Sequence, residues 1–353
     1  MPAKKIKEWE GVTKEIFKKE IIPMGEPAVF RGFVKDWAMV KKSKESDRAV
    51  SHYVKSFDRG EPASTLRAAP DINGKFFYKD DMQGLNFEQK QESLSESLDE
   101  ILKHLNDDKP PAVFTGSVPI NNCLPGLHRQ LPNPLLSPSV APLIWLGNRV
   151  TVQTHYDPYS NIACVGAGRR RFTLFPPSQI HNLYVGPIDF TPAGQPVSMV
   201  KLHEPDFIKY PRFKEALAAA EFAELEPGDA IYIPELWWHH VESLEAFNVL
   251  VNYWWVNDRV GPDAPYTCMM HGLMSIRTLP KPARLAWREL FDHYVFRVNE
   301  DAVDHLDVKN RGILGKVTPQ NYNNIKKQFV GLFQRDQPKN DARHLFTSSL
   351  YSC

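Results

Sequence analysis

The spacing of hydrophobic and polar positions changes twice along this chain. From Leu143 to Trp255 the apolar residues come in short runs rich in β-branched and aromatic side chains: LIWLG, VTVQTHYD, NIACVGAG, RRFTLFPP, DAIYIP, HHVESL and FNVLVNYWW. GN, DPYSN, GAGR and EPGD punctuate them as turn signals. Many short strands with turns between them predict a jelly roll or barrel. One alanine-rich stretch, PRFKEALAAAEFAE at 211–224, interrupts the series as a predicted helix.

The flanks read differently. PAVFRG, FFYKDD (76–81) and PPAVFTGSVP predict strands, and SDRAVSHYVKSF a helix. In residues 87–106, Leu94, Leu98, Ile101, Leu102 and Leu105 recur at helical spacing among acids and lysines, the pattern of an amphipathic helix. Residues 121–142 carry too much proline for long regular elements. Beyond Pro262, ARLAWRELFDHYVF and TPQNYNNIKKQFVGLFQ predict helices over 282–298 and 319–334, the second opening on a Thr-Pro cap. The expected organisation is an N-terminal α/β segment (1–110), an all-β core (111–260) and a C-terminal helical segment (261–353). FYKDDMQGLNF reads as a lid or a solvated turn.

Composition narrows the function classes. At 353 residues, the chain is long enough to bury a sizeable core. A formal charge of +1 with no long basic run argues against nucleic acid as the main partner, without excluding a local patch. Cys123, Cys164, Cys268 and Cys353 show no metal-ligand spacing and read as reduced thiols. The opening MPAKKIKEWEG has no apolar signal region, and no apolar run approaches the roughly 20 residues that span a bilayer. The expectation is a cytoplasmic protein with no membrane association.

Candidate chemistry lies within the strand series. Side chains on a strand alternate faces, so His155 and Asp157 share one side, with Gln153 and Thr151 if the strand stays regular. His239 and His240 point to opposite sides, so at most one joins that pair. Two histidines and a carboxylate form a facial metal triad that leaves coordination positions open and suits Fe(II). A closed structural zinc site would want a fourth protein ligand and usually thiolates. A histidine at a strand end is also a common hydrogen-bonded core residue. Unpartnered polar groups on an inward face are costly, however, and metal ligation relieves that cost.

The block HYDPYSNIACVGAGRRRFTLFPP, followed by NLYVGP, PGDAIYIP, WWHHVESL and NVLVNYWW, resembles the cupin-like JmjC oxygenases. Within them it is similar to the branch of the factor-inhibiting-HIF asparaginyl hydroxylase and the tRNA wybutosine hydroxylase, and to bacterial jumonji-type proteins. The likeness is dense over about 110–256. It implies a mainly β, double-stranded β-helix (jelly-roll) fold with flanking N- and C-terminal helices, and a site using Fe(II) and 2-oxoglutarate. Carried over by motif, the metal ligands and catalytic residues fall on His155, Asp157 and His239, with His240 behind them. Arg170 takes the place of the lysine that holds the C5 carboxylate of 2-oxoglutarate. Asn161 and Asn252 match two asparagines of the co-substrate pocket. Two positions depart from the pattern. Phe114 stands where the family has a tyrosine, and Val152 where it has a threonine, a loss for which Thr151 is the candidate substitute.

The implied activity is a dioxygenase that hydroxylates a peptide or protein side chain while 2-oxoglutarate is decarboxylated to succinate. The alternatives are N-demethylation, a nucleoside or small-molecule substrate, and a catalytically silent cupin-fold binding protein. The resemblance also implies a homodimer through the C-terminal helices.

Overall fold

The computed structural model describes residues 4–192, 194–256, 265–299, 302–316 and 318–333. The chain divides into two compact units, Met1–Asn257 and Asp258–Cys353. The first is mainly β, a jelly roll of two sheets. Its strands are β1 (Lys4–Lys5), β2 (Glu8–Trp9), β3 (Ala28–Phe30), β4 (Ala63–Ala68), β5 (Glu88–Glu92), β6 (Ala112–Pro119) and β7 (Pro142–Gly147). They continue with β8 (Thr151–Tyr156), β9 (Ser160–Ala167), β10 (Arg170–Phe175), β11 (Glu221–Leu225), β12 (Ala230–Ile233), β13 (Trp238–Ser243) and β14 (Asn248–Trp255).

The large sheet runs β2-β3-β12-β9-β14-β7-β6-β4-β5, and the small one β1-β11-β10-β13-β8. Pairing is antiparallel except for β1 with β11 and β2 with β3. Alternation explains why β9 is buried at every position. Ile162 and Cys164 join the apolar layer under the N-terminal helices, and Ala163 and Val165 the layer shared with Phe172, Leu174 and Val241 of the small sheet. The site opens from this second layer.

Three predicted elements come out differently. The helix expected over 87–106 begins only at Leu94 and runs to Lys103, while the preceding residues form β5. Ser93 caps it, accepting from the Glu96 N–H at 3.2 Å while the Glu96 carboxylate accepts from the Ser93 N–H at 2.8 Å. The helix expected over 211–224 is Phe213–Ala218, and its remainder becomes β11. FFYKDD is no strand. It makes a single bridge, Tyr78 with Leu85, just after the Lys75–Thr151 bridge, within a loop that walls the site.

The second unit holds helices Pro265–Ser275, Lys281–Tyr294 and Pro319–Phe333. Thr318 caps the last, its hydroxyl accepting from the Asn321 N–H at 3.2 Å. Among the described residues, no helix is long and apolar enough to cross a membrane.

Candidate metal centre

His155 lies on β8, Asp157 just past its end, and His239 on β13, the neighbouring strand. The pairing sets His239 opposite His155, with ring centroids 4.2 Å apart. Each of the three residues offers a ligand atom, and these atoms all lie within 4.8 Å of one another. His239 Nε2 is 3.5 Å from an Asp157 carboxylate oxygen. His155 Nδ1 lies 2.8 Å from the Gln153 carbonyl, and His239 Nδ1 3.1 Å from the Trp237 carbonyl. A carbonyl can only accept, so each Nδ1 carries the proton and each Nε2 keeps its lone pair.

The electrostatics favour a neutral His155 beside an ionised Asp157. Burial, and then the neighbouring His239, push His155 down to about 4. Burial raises the Asp157 carboxyl, but the adjacent His239 and then His155 more than offset it, leaving it below its ordinary range. His240 stands apart from the group. It is buried on the other side of β13, its Nδ1 3.3 Å from the Thr154 hydroxyl, and burial pushes it down to about 3.

Arg170 shares a small cavity of about 50 Å³ with the three residues, as do Asn161 and Asn252. It is only 2% exposed, and its Nε and Nη2 have no hydrogen-bond partner. Burial pulls it down to about 10, so it stays cationic near neutral pH. A buried guanidinium with two idle donors is costly unless an anion meets it, and its fork matches a carboxylate. The donor set and this orphaned cation therefore fit a divalent metal beside an organic acid. Arg169 and Arg171 alternate away from the cavity and pair with Glu245 and Glu224, both at the surface.

Thr151 is the misplaced expectation. Between the pairs His239–His155 and Val241–Val152 the register slips, so β8 carries one extra residue, a bulge. The bulge reverses alternation before His155 and turns Val152 into the Arg170 cavity. Thr151 lies outside that cavity, on the wall of a larger outer one of about 670 Å³.

Trp145 emerges only in three dimensions. Its indole N–H donates to the Asn252 side-chain oxygen at 2.7 Å, and the Asn252 amide donates to Asn161 at 3.2 Å. In sequence it is one more apolar residue of a buried strand. Gly116 makes room for it, since a Cβ there would lie 2.5 Å from the indole ring. Trp254 lines both cavities. Asp80 and Asp81 sit in an exposed turn, where the Asp81 carboxylate accepts from the Gln83 N–H at 2.9 Å.

Comparison with known proteins places this geometry in context. The chain is 27% identical to "Lysine-specific demethylase JMJ31" of Arabidopsis thaliana over 318 residues, covering 82% of this chain and 57% of that protein. It is 27% identical to "JmjC domain-containing protein D" of Dictyostelium discoideum over 259 residues, covering 66% and 52% respectively. It is also 27% identical to "tRNA wybutosine-synthesizing protein 5" of Gallus gallus over 266 residues, covering 72% and 78%. The chain thus spans little more than half the length of the plant and amoebal proteins. Residues 13–259, which carry both sheets from β3 onward together with the triad, match the Cupin-like domain, and the chain belongs to that family of cupin-like JmjC proteins.

Proposed function

We propose that the protein is an Fe(II)- and 2-oxoglutarate-dependent dioxygenase, with His155, Asp157 and His239 as the metal ligands. The observation that carries this reading is the pairing of an open triad with a buried, unpartnered guanidinium in one cavity. When bound, Fe(II) supplies the oxidation: 2-oxoglutarate, dioxygen and a substrate C–H are converted to succinate, carbon dioxide and a C–OH product.

The chain's own residues supply order. The Gln153 and Trp237 carbonyls fix both imidazoles through Nδ1, leaving Nε2 as the atom that would hold the ion. Arg170 holds the far carboxylate of the co-substrate, with Phe114 offering packing in place of a hydroxyl. Trp145 locks Asn252, and Asn252 locks Asn161, so the amides on the cavity wall are preorganised. Phe172, Ile233 and Leu250 keep the cavity dry, which strengthens each polar contact inside it.

Hydroxylation of a peptide or protein side chain is the outcome we favour. Hydroxylating an N-methyl group would release formaldehyde by the same chemistry. The test is succinate formation from 2-oxoglutarate by the Fe(II)-loaded protein, with and without panels of peptides, nucleosides and metabolites. Substrate-stimulated succinate supports the proposal. Failure to bind 2-oxoglutarate at millimolar concentration tells against it and in favour of a binding protein.

A further inference from the structure

The outer cavity is the space a substrate must occupy to reach the triad, and it is nearly free of charge. Among the described residues, the only ionisable side chains lining its 670 Å³ are His155 and Asp157, which belong to the triad. Its other polar side chains are neutral, with Ser64, Gln89, Ser117, Thr151, Gln153, Thr191 and Gln195 among them. This inference rests on the oxygenase reading above and concerns what that site accepts.

Strand alternation keeps the charges out. Phe87 and Gln89 face the cavity from the β5 segment, whereas Lys90 and Glu92 point to its other side. Ser64 and Leu66 face it from β4, while Arg67 turns away to pair with Glu92 at 2.8 Å. Charged groups are close at hand. Lys75, Lys79, Lys201, Asp71, Asp80 and Glu204 line an adjoining cavity of about 400 Å³ behind Phe76. None of them lines the space before the triad.

The aromatic residues do not replace a counter-charge. Phe87, Phe76, Phe114, Trp145 and Trp254 touch in succession, with centroids 5.3, 6.2, 5.9 and 5.9 Å apart. They form one continuous wall. A cage for an ammonium group needs rings facing one another across the cation. A cation entering here would meet no carboxylate outside the triad to offset the hydration it gives up against the apolar wall, a net penalty.

We infer that the cavity accepts an uncharged side chain or ring and turns away cationic groups, methylated ammonium included. The specificity comes from the neutral amides and hydroxyls, with Gln89 facing the cavity from the sheet edge.

The test compares two capped amino acids of equal shape, trimethyl-lysine and its carbon isostere with a tert-butyl group in place of the trimethylammonium. Binding to the Zn(II)-loaded full chain is followed by ligand-observed NMR. The neutral isostere should bind at least about tenfold more tightly. Gln89→Glu, which sets a carboxylate in the wall, should raise the affinity of the cation and narrow the gap. Equal or tighter binding of the cation to the wild type overturns the inference. So does failure of the isostere to bind at millimolar concentration, or a cation affinity unmoved in folded Gln89→Glu. The comparison needs no turnover. A 2-oxoglutarate titration run alongside therefore separates failure of this inference from failure of the oxygenase reading.

Discussion

His155 and His239 stand directly opposite each other on β8 and β13, each with its Nδ1 at the carbonyl of the residue two before it. The two anchors are the same device on two strands, and both leave Nε2 free of the backbone, that of His239 lying 3.5 Å from Asp157. His155→Ala, Asp157→Ala and His239→Ala should each abolish tight Fe(II) binding. His240→Ala should largely spare it, because His240 contacts Thr154 on the far side of the strand. Anaerobic metal titration reads this out. Loss in His240→Ala with retention in His239→Ala would reverse the assignment.

A second polar cluster gives the fold a pH dependence. The Glu92 carboxylate, 1% exposed, accepts from Arg67 at 2.8 Å, from Ser97 at 2.8 Å, and meets Lys90 at 3.0 Å. Burial raises its pKa, but these three partners more than offset that and hold it below its ordinary value. The folded value lies below the unfolded one. The stabilisation is therefore fully present above the unfolded pKa and is lost as pH falls through the folded one. Glu92→Gln should cost about 1.5–3 kcal/mol at neutral pH. The gap to wild type in thermal melts should shrink as pH falls below the ordinary glutamate range. A gap that stays constant with pH would place the cluster's contribution elsewhere.

The jelly roll was legible because strands such as β9 are buried on both faces and leave a near-continuous apolar run. The triad was legible for a local reason, since period two puts His155 with Asp157 and splits His239 from His240. What escaped has equally local causes. The bulge in β8 has no sequence signature, and it exchanged Thr151 for Val152 at the small cavity. β5, with the sequence EQKQE, is an edge strand exposed at four of five positions, so it carries no apolar signal. The boundary after it was in fact written in the sequence, as the Ser93–Glu96 capping box. The alanine run before β11 read as helix because propensity is local, while β11 is held by pairing with β10 and β1.

The second unit carries large apolar side chains at its surface. On the helix Lys281–Tyr294, Trp287 is 43% exposed, Leu290 45% and Tyr294 45%, and helical spacing puts the three on one face. Large exposed apolar clusters mark interaction sites. We propose a homodimer through this face. Light scattering at micromolar concentration should give twice the chain mass for the wild type and a monomer for Trp287→Glu/Leu290→Glu. A monomeric wild type sinks the idea.

Arg170 is the sharpest test of the co-substrate. Phe114 and Val152 line its cavity without a hydroxyl, so the guanidinium is the principal cation left to meet a carboxylate there. A charge-assisted hydrogen bond of this kind contributes roughly 1.5–3 kcal/mol. Arg170→Met should therefore weaken 2-oxoglutarate binding about tenfold to a hundredfold, at about 1.4 kcal/mol per decade. Fe(II) affinity should barely move, because Arg170 is no ligand. Arg170→Lys should keep part of the binding, as a point charge in place of a fork. A 2-oxoglutarate titration of the anaerobic Fe(II) protein, followed by its charge-transfer band, measures all three proteins. Equal affinity in wild type and Arg170→Met would refute the anchor. Arg169 and Arg171 could not take over without leaving Glu245 and Glu224 and turning to the side that Arg170 occupies.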